Sequence, residues 1–261
     1  MPKITKVSAQ QKRKRYNIFV DGTYRFSVSP DTLAKFVLVK GAEFTDDELN
    51  KIQSAEQDNK LYTLALNYLS YEPRTVSEVT TYLTEKEASE DQIEQVLAHL
   101  IDLNLLNDEH YVELFINHNF AVGQDGPVKV KSKLLAKGIA PELTEVIDDA
   151  DERYLDLAEK VIRSLSKKQG KLASRELAQK MRQKLMQHGF VNDQINEVIN
   201  FEVDEEQEQE ALKIQGIKAY KRYRKDQQRI IRYLVQHGFS YSQAQAFANG
   251  EVIPFDELDE Y

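Results

Sequence analysis

The sequence predicts a mainly α-helical protein: tandem three-helix repeats forming an elongated, curved array, with a small β-hairpin module at the N-terminus. Three observations predict it. First, a helix-stop, helix-start junction recurs as Leu134-Leu135-Ala136-Lys137-Gly138-Ile139, Leu185-Met186-Gln187-His188-Gly189-Phe190 and Leu234-Val235-Gln236-His237-Gly238-Phe239. An earlier copy, Leu83-Thr84-Glu85-Lys86-Glu87-Ala88, has lost its glycine. Positions 87, 138, 189 and 238 lie 51, 51 and 49 residues apart, and self-similarity at such a period marks stacked helical units. Second, capping boxes stand at Thr45/Glu48, Thr75/Glu78, Ser89/Gln92 and Ser240/Gln243, each pairing a helix's first orphan N–H groups with side chains. Third, Asp21-Gly22 joins two β-rich runs, a strong hairpin signal.

In chain order, residues 1–44 are read as the hairpin module. Residues 14–20 and 23–28 form the strands, 4–7 a third strand, and 31–36 a short helix after Pro30. A two-residue loop pairs Phe19 with Tyr24 and is expected to place Phe19, Tyr24, Phe26 and Val28 on one face. A lone hairpin is marginal in water, so the module must dock on something. Repeat 1 spans 45–108: a long helix from Thr45 through Leu61, Leu64 and Tyr68, a second from Thr75, and a third carrying Ile93, Val96, Leu97 and Leu100. Repeat 2 spans 109–150, with Pro127 opening its second helix, Gly138 closing it and Pro141 opening the third. There Thr144 stands where Ile93 and Ile195 fall. Repeat 3 spans 151–204, with Asn192 expected to cap its last helix, and repeat 4 spans 205–250. Residues 251–261 read as an acidic tail. The junction glycine has a physical reason: a left-handed residue closes a helix C-terminus, and glycine adopts that conformation without a Cβ clash.

The 261 residues contain no cysteine, which excludes disulfides, Cys-ligated zinc and thiol catalysis. The first residues carry no apolar signal run and no stretch approaches membrane-spanning length, so a soluble, cytoplasmic protein is expected. The net charge of −8 conceals blocks. Residues 163–184 carry eight basic residues against Glu176, and 211–240 carry eight against Asp226. Such a surface suits an acidic protein or nucleic acid.

Gly123-Gln124-Asp125-Gly126-Pro127 lacks the lysine and flanking strand of a phosphate loop. His110 and His118 are too far apart for a one-turn metal pair, and His188 and His237 precede junction glycines, where a cation complements the helix dipole. Carboxylates fall in solvated runs, without the apolar pair that acid–base chemistry needs. We therefore expect no enzyme, no cofactor and no metal. Tyr220-Lys221-Arg222-Tyr223-Arg224-Lys225 interleaves rings and cations as single-strand binders do; the preferred reading puts Tyr220 and Tyr223 on the apolar face with Ile230 and Leu234. If one helix is continuous there, Arg222, Lys225, Arg229 and Arg232 make a stripe; Lys129, Lys133 and Lys137 make another. With Arg175 and Arg182 from the basic block of repeat 3, these are the candidate partner contacts.

The four junctions, together with Tyr71-Glu72-Pro73-Arg74-Thr75-Val76-Ser77-Glu78-Val79-Thr80-Thr81-Tyr82-Leu83, resemble the RecX family of regulators of the bacterial RecA recombinase. Leu103-Asn104-Leu105-Leu106-Asn107-Asp108, Gly126-Pro127 with Lys129-Val130, and Leu135-Ala136-Lys137-Gly138-Ile139 are similar to the family's pattern. The resemblance covers roughly residues 58–250. Two positions depart from it: Glu72, where a basic residue is common, and Glu87, in place of the junction glycine. The N-terminal module and fourth repeat look like the long form found in low-GC Gram-positive bacteria. The resemblance implies a monomeric, non-enzymatic modulator whose partners are RecA and the RecA–single-stranded-DNA filament. It would lie in the filament groove, with possible weak nucleic-acid contact and no membrane, and most often inhibit ATP hydrolysis, strand exchange and filament growth. Two rivals stand beside it: a stand-alone single-stranded nucleic-acid binder, and a helical scaffold for another acidic partner.

Overall fold

In a computed structural model of the chain, residues 1–11, 15–200, 203–224 and 226–258 are described. The chain divides into two compact units: Met1–Tyr111 with Lys137–Ile139, and Val112–Ala136 with Ala140–Tyr261.

In the first unit, β1 (Ile4–Ala9), β2 (Tyr16–Val20) and β3 (Thr23–Val28) form an antiparallel sheet in that order. Asp21 and Gly22 both have positive φ, 48° and 85°, as the two-residue turn requires. Phe19 pairs with Tyr24 as expected, but the expected common face does not form. The register slips by one between Phe19 and Ile18, leaving Arg25 as a bulge. Beyond the bulge, Phe26 and Val28 turn inward beside Ile18 and Val20, while Tyr24 stays 57% exposed.

After α1 (Pro30–Lys35) comes α2 (Asp46–Leu69), opened by the Thr45/Glu48 capping box. The N-terminal half of α2 supplies Leu49 and Ile52 to the core under the sheet. The module therefore docks on its own neighbour, and its core crosses the expected boundary at residues 44–45: three strands expose an apolar face that only an added helix covers. Buried Glu56 on α2 accepts hydrogen bonds from the backbone N–H and hydroxyl of Ser29 at 2.9 and 3.1 Å, and pairs with Arg15 at 2.8 Å. A carboxylate taken out of water needs such partners. The C-terminal half of α2 packs with α3 (Val76–Glu85) and α4 (Glu90–Asp102) around Leu61, Ala65, Val79, Leu83, Val96 and Leu100.

The second unit takes up α5 (Asp108–Val122) from Val112 onward, then α6 (Pro127–Ala136) and a 3-10 turn at Pro141–Thr144. The expected third helix of repeat 2 is this single turn. Thr144 is wholly buried, and its hydroxyl donates to the Pro141 carbonyl at 2.7 Å, so the polar side chain is satisfied locally. Two full three-helix groups follow: α7 (Arg153–Ser166), α8 (Ser174–Gln187) and α9 (Asn192–Val198), then α10 (Glu205–Tyr223), α11 (Gln227–Gln236) and α12 (Tyr241–Ala248). Each has its own core, around Leu157, Val161, Leu177, Met181, Leu185 and Ile195 in one, and Leu212, Tyr220, Ile230, Leu234 and Phe247 in the other.

Three further expectations are corrected. The cap of α9 is Val191, whose N–H donates to the Gln194 side chain at 3.1 Å, and Asn192 is already the first helical residue. Residues after 250 do more than carry acid: α13 (Phe255–Leu258) follows Ile253, and Ile253 and Leu258 are buried in the last core. The helix through Tyr220 and Ile230 is not continuous. It breaks at Arg224, whose φ of 55° ends α10, before Asp226 caps α11. Tyr220 is buried and Tyr223 packs beside it, as the apolar-face reading expects.

All four junction residues are left-handed: Glu87, Gly138, Gly189 and Gly238 have φ of 62°, 79°, 79° and 95°. Glu87 keeps the conformation without the glycine. The next residue's N–H reaches back to the helix in the same way at three of them: Ala88 to Leu83, Phe190 to Leu185 and Phe239 to Leu234, at 3.1–3.2 Å.

Candidate protein-interaction surface

The junctions do more than end helices. The tip that closes one middle helix lies against the start of the middle helix of the preceding repeat. In the first unit, the Thr75 hydroxyl donates to the Lys137 carbonyl at 2.8 Å, and a Cβ on Gly138 would collide with the Ser77 side chain. In the second unit, Gly126 N–H donates to the His188 carbonyl at 2.7 Å and Val128 N–H to the Gly189 carbonyl at 3.1 Å. A Cβ on Gly189 would fall 2.6 Å from the Lys129 nitrogen, and one on Gly238 would fall 2.9 Å from the Glu176 nitrogen. So α11, α8 and α6 follow one another end to end. Between α8 and α6, orphan carbonyls of one helix meet orphan N–H groups of the next, and both joints bring opposite dipole ends together.

Carboxylates complete these joints. Asp108 accepts Val76 N–H at 2.9 Å, and burial raises its pKa. Glu208 accepts the N–H and hydroxyl of Ser174 at 2.8 and 2.6 Å. Both cap the first residue of a middle helix. The corresponding first residue of α6 is Pro127, which has no N–H to cap. Part of the acidic stretch 202–210 is therefore structural.

The lysine stripe of repeat 2 has structural partners. Lys129 pairs with Asp125 at 2.9 Å, Lys133 pairs with the other Asp125 oxygen, and His188 Nδ1 lies 3.8 Å from this carboxylate. Burial acts to raise the Asp125 pKa, but Lys133 and Lys129 overcome it and hold the group below its ordinary value. Lys137 pairs with Glu78 at 2.7 Å and lies over the Tyr111 ring. Glu78 raises the lysine's pKa, while burial opposes the shift. The loop at residues 123–127, which lacks the features of a phosphate loop, is thus the anchor of α6: Asn119 clamps it through Asp125 N–H and carbonyl, at 3.2 and 2.7 Å. Nothing in the sequence pattern singled out Asp125. An acidic residue four before Lys129 was the available signal.

The remaining candidates face water. Arg175 and Arg182 share the outer face of α8, seven residues apart, and Arg182 donates to Asn196 at 2.9 Å. On α11, Arg229 pairs with Asp226 at 3.2 Å, and Arg232 is exposed. Arg222 lies on the last turn of α10 against the Tyr223 ring. Lys225 lies outside the described residues. The four-residue stripe therefore does not exist as one helix face, because the break at Arg224 separates Arg222 from Arg229 and Arg232.

The structure adds an apolar row that charge reading missed. Val128 and Leu135 on α6, Met186 on α8 and Val235 on α11 are exposed, Met186 by 58% and Val128 by 55%. Leu135, Met186 and Val235 are equivalent positions, each following the buried junction leucine. Aligning the repeats shows an apolar residue at that place three times running. Val128 and Leu135 flank Lys131 on α6, Arg182 precedes Met186 on α8, and Arg232 precedes Val235 on α11. In the second unit α6, α8 and α11 thus each expose an apolar residue with a cation within four residues of it on the same helix, the residue types of a protein-binding surface.

A three-stranded sheet followed by three-helix groups that end in left-handed turns defines a helical-repeat protein. Residues 2–45 match the regulatory protein RecX N-terminal domain, 62–100 the first three-helix domain of RecX and 151–199 its third. Regulatory protein RecX of Lactobacillus gasseri is 44% identical over the whole of both chains, and that of Listeria welshimeri is 34% identical over 98% of this chain and 99% of the other. A crystal structure of regulatory protein RecX superposes with a TM-score of 0.64 at 30% identity, covering 77% of this chain and all of the other. RecX from Lactobacillus salivarius gives 0.52 at 31% identity, over 56% of this chain and 96% of that one. The chain belongs to the RecX family of regulatory proteins. No helix among the described residues is long and apolar enough to cross a membrane.

Proposed function

We propose that this protein binds the RecA–single-stranded-DNA filament and restrains its ATP hydrolysis, strand exchange and growth. The observation that carries the reading is the full-length match to regulatory proteins RecX, which spans the sheet module and every helical group. The contact face is the outer side of α6, α8 and α11. There Met186, Leu135 and Val235 supply burial, while Arg175, Arg182 and Arg232 steer and orient. Lys129 and Lys133, paired with Asp125, and Lys137, paired with Glu78, hold joints rather than supply the contact face.

The test is RecA-dependent ATP hydrolysis on single-stranded DNA, with the protein titrated in. Wild type lowers the rate. The variant Arg175→Glu/Arg182→Glu/Arg229→Glu/Arg232→Glu, whose side chains are exposed, retains wild-type circular dichroism and loses the effect. Inhibition by this variant at wild-type concentrations removes the face from the interaction, and a wild type without effect on hydrolysis removes the function.

A further inference from the structure

The sheet has a second side. Its inner side covers α2, and its outer side carries a cross-strand row of Lys6, Phe19 and Tyr24, one residue from each strand. The rings of Phe19 and Tyr24 meet edge to face at 5.9 Å, and Lys6 Nζ sits 5.4 Å from the centre of Phe19. Ser8, Asn17 and Ser27 pair in the next row but one. Two bulges, at Thr5 on β1 and Arg25 on β3, lie on either side of this row. Each breaks the inward–outward alternation, so Thr5 and Lys6 are both exposed, and so are Tyr24 and Arg25. A sheet needing only to cover its core would gain nothing from aiming the Tyr24 ring and two cations at water beside a half-buried Phe19.

The charge agrees. The first 44 residues hold nine basic residues against Asp21, Asp31 and Glu43, although the whole chain is acidic at −8. Lys12, Arg13, Lys14 and Arg15 follow one another in the sequence; the first three lie outside the described residues, and Arg15 is paired with Glu56.

We propose that the outer face of the N-terminal sheet is a binding site for single-stranded nucleic acid. Bases stack on Tyr24 and Phe19, and Lys6 and Arg25 neutralise the flanking phosphates. Stacking on exposed rings tolerates any sequence, since every base has a π-face, while the cations supply salt-dependent attraction. A duplex hides its base faces, so single strands are preferred. This proposal stands independently of the RecA reading, because its test contains no recombinase.

The probe is a labelled oligothymidylate, with binding read by fluorescence anisotropy on the full chain at increasing salt. Wild type binds, and affinity falls steeply with salt. Tyr24→Thr, which keeps a strand-forming residue but removes the ring, weakens binding about tenfold, within the range for one stacked base. Tyr24→Phe restores it. Lys6→Gln/Arg25→Gln flattens the salt dependence. A photocrosslink from a bromodeoxyuridine oligonucleotide to intact wild type maps to Phe19 or Tyr24. That measurement decides the matter if a variant disturbs the sheet. No wild-type binding at low salt, wild-type affinity in Tyr24→Thr, or crosslinks confined to the helical groups would each overturn the proposal. So would a Tyr24→Thr variant that keeps its oligonucleotide affinity and loses only RecA inhibition, which would make this face a protein contact.

Discussion

The His188 carbonyl at the end of α8 accepts the backbone N–H of Gly126 at the start of α6, at 2.7 Å. One bond joins two helix ends that are 62 residues apart in sequence, and it satisfies two groups that helix geometry leaves orphaned. The same logic recurs between Lys137 and Thr75, where a side-chain hydroxyl replaces the N–H. Helix ends therefore position the outer face proposed for binding.

At Gly189 the joint tolerates no side chain. A valine there is strained at φ 79° and collides with Lys129 backbone atoms. Backbone strain and overpacking together predict a loss of about 2–5 kcal/mol for Gly189→Val. Urea unfolding followed by circular dichroism measures it, and a loss below that of an exposed α8 substitution such as Gln179→Val contradicts the packed joint.

Glu87 makes the converse prediction. It holds a left-handed conformation that costs an ordinary residue about 1–2 kcal/mol. Glycine avoids that cost but loses about 0.5–1 kcal/mol through unfolded-chain entropy. Glu87→Gly should therefore stabilise the first unit by about 0.5–1 kcal/mol, read as a raised urea midpoint. A lowered midpoint contradicts this balance.

Asp125 gives the joint a pH dependence. Its folded pKa is depressed, so its contribution is fully present above the unfolded value and is lost as pH falls through the folded one. Asp125→Asn should cost about 1–3 kcal/mol at neutral pH, because Lys129 and Lys133 are exposed enough to turn to water rather than remain buried unpaired. The deficit should shrink as pH falls below about 4, where the unfolded carboxylate takes up its proton before the folded one does. A deficit independent of pH would assign the loss to packing alone.

Glu208 separates structural from solvated acid. Glu208→Ala should cost about 1–2 kcal/mol by uncapping α8. Glu205→Lys/Glu206→Lys/Glu210→Lys, on the exposed turns of α10, should melt close to wild type and still inhibit RecA. Equal destabilisation by both would show that the cap contributes nothing.

Met186 tests the apolar row. Met186→Glu puts a charge where burial is proposed, and should weaken inhibition of RecA-dependent hydrolysis at unchanged melting temperature. Gln183→Glu, on the same helix but off the row, is the control. Equal inhibition by all three proteins would exclude the row from the interface.

By itself the sequence determined whatever rests on local chemistry. The capping boxes at Thr45, Thr75, Ser89 and Ser240, the Asp21-Gly22 turn and the left-handed junctions each depend on residues within a few positions, so their signals lie side by side in the chain. The buried faces of the helices were legible for the same reason, since their period shows in any window. Tertiary structure decided what distant segments do to one another. The Arg25 bulge reversed the face of Tyr24 because Phe26 and Val28 had to cover α2. The charge of Lys129 and Lys133 was absorbed by Asp125, and Glu208 left the solvated acidic run to cap a helix 34 residues earlier. The stripe from Arg222 to Arg232 failed because the chain turns at Arg224 to fold α11 back on α10, and side-chain spacing says nothing about a helix that stops. Burial and partner choice are properties of the assembled fold, and only there could a basic residue be sorted into joint or surface.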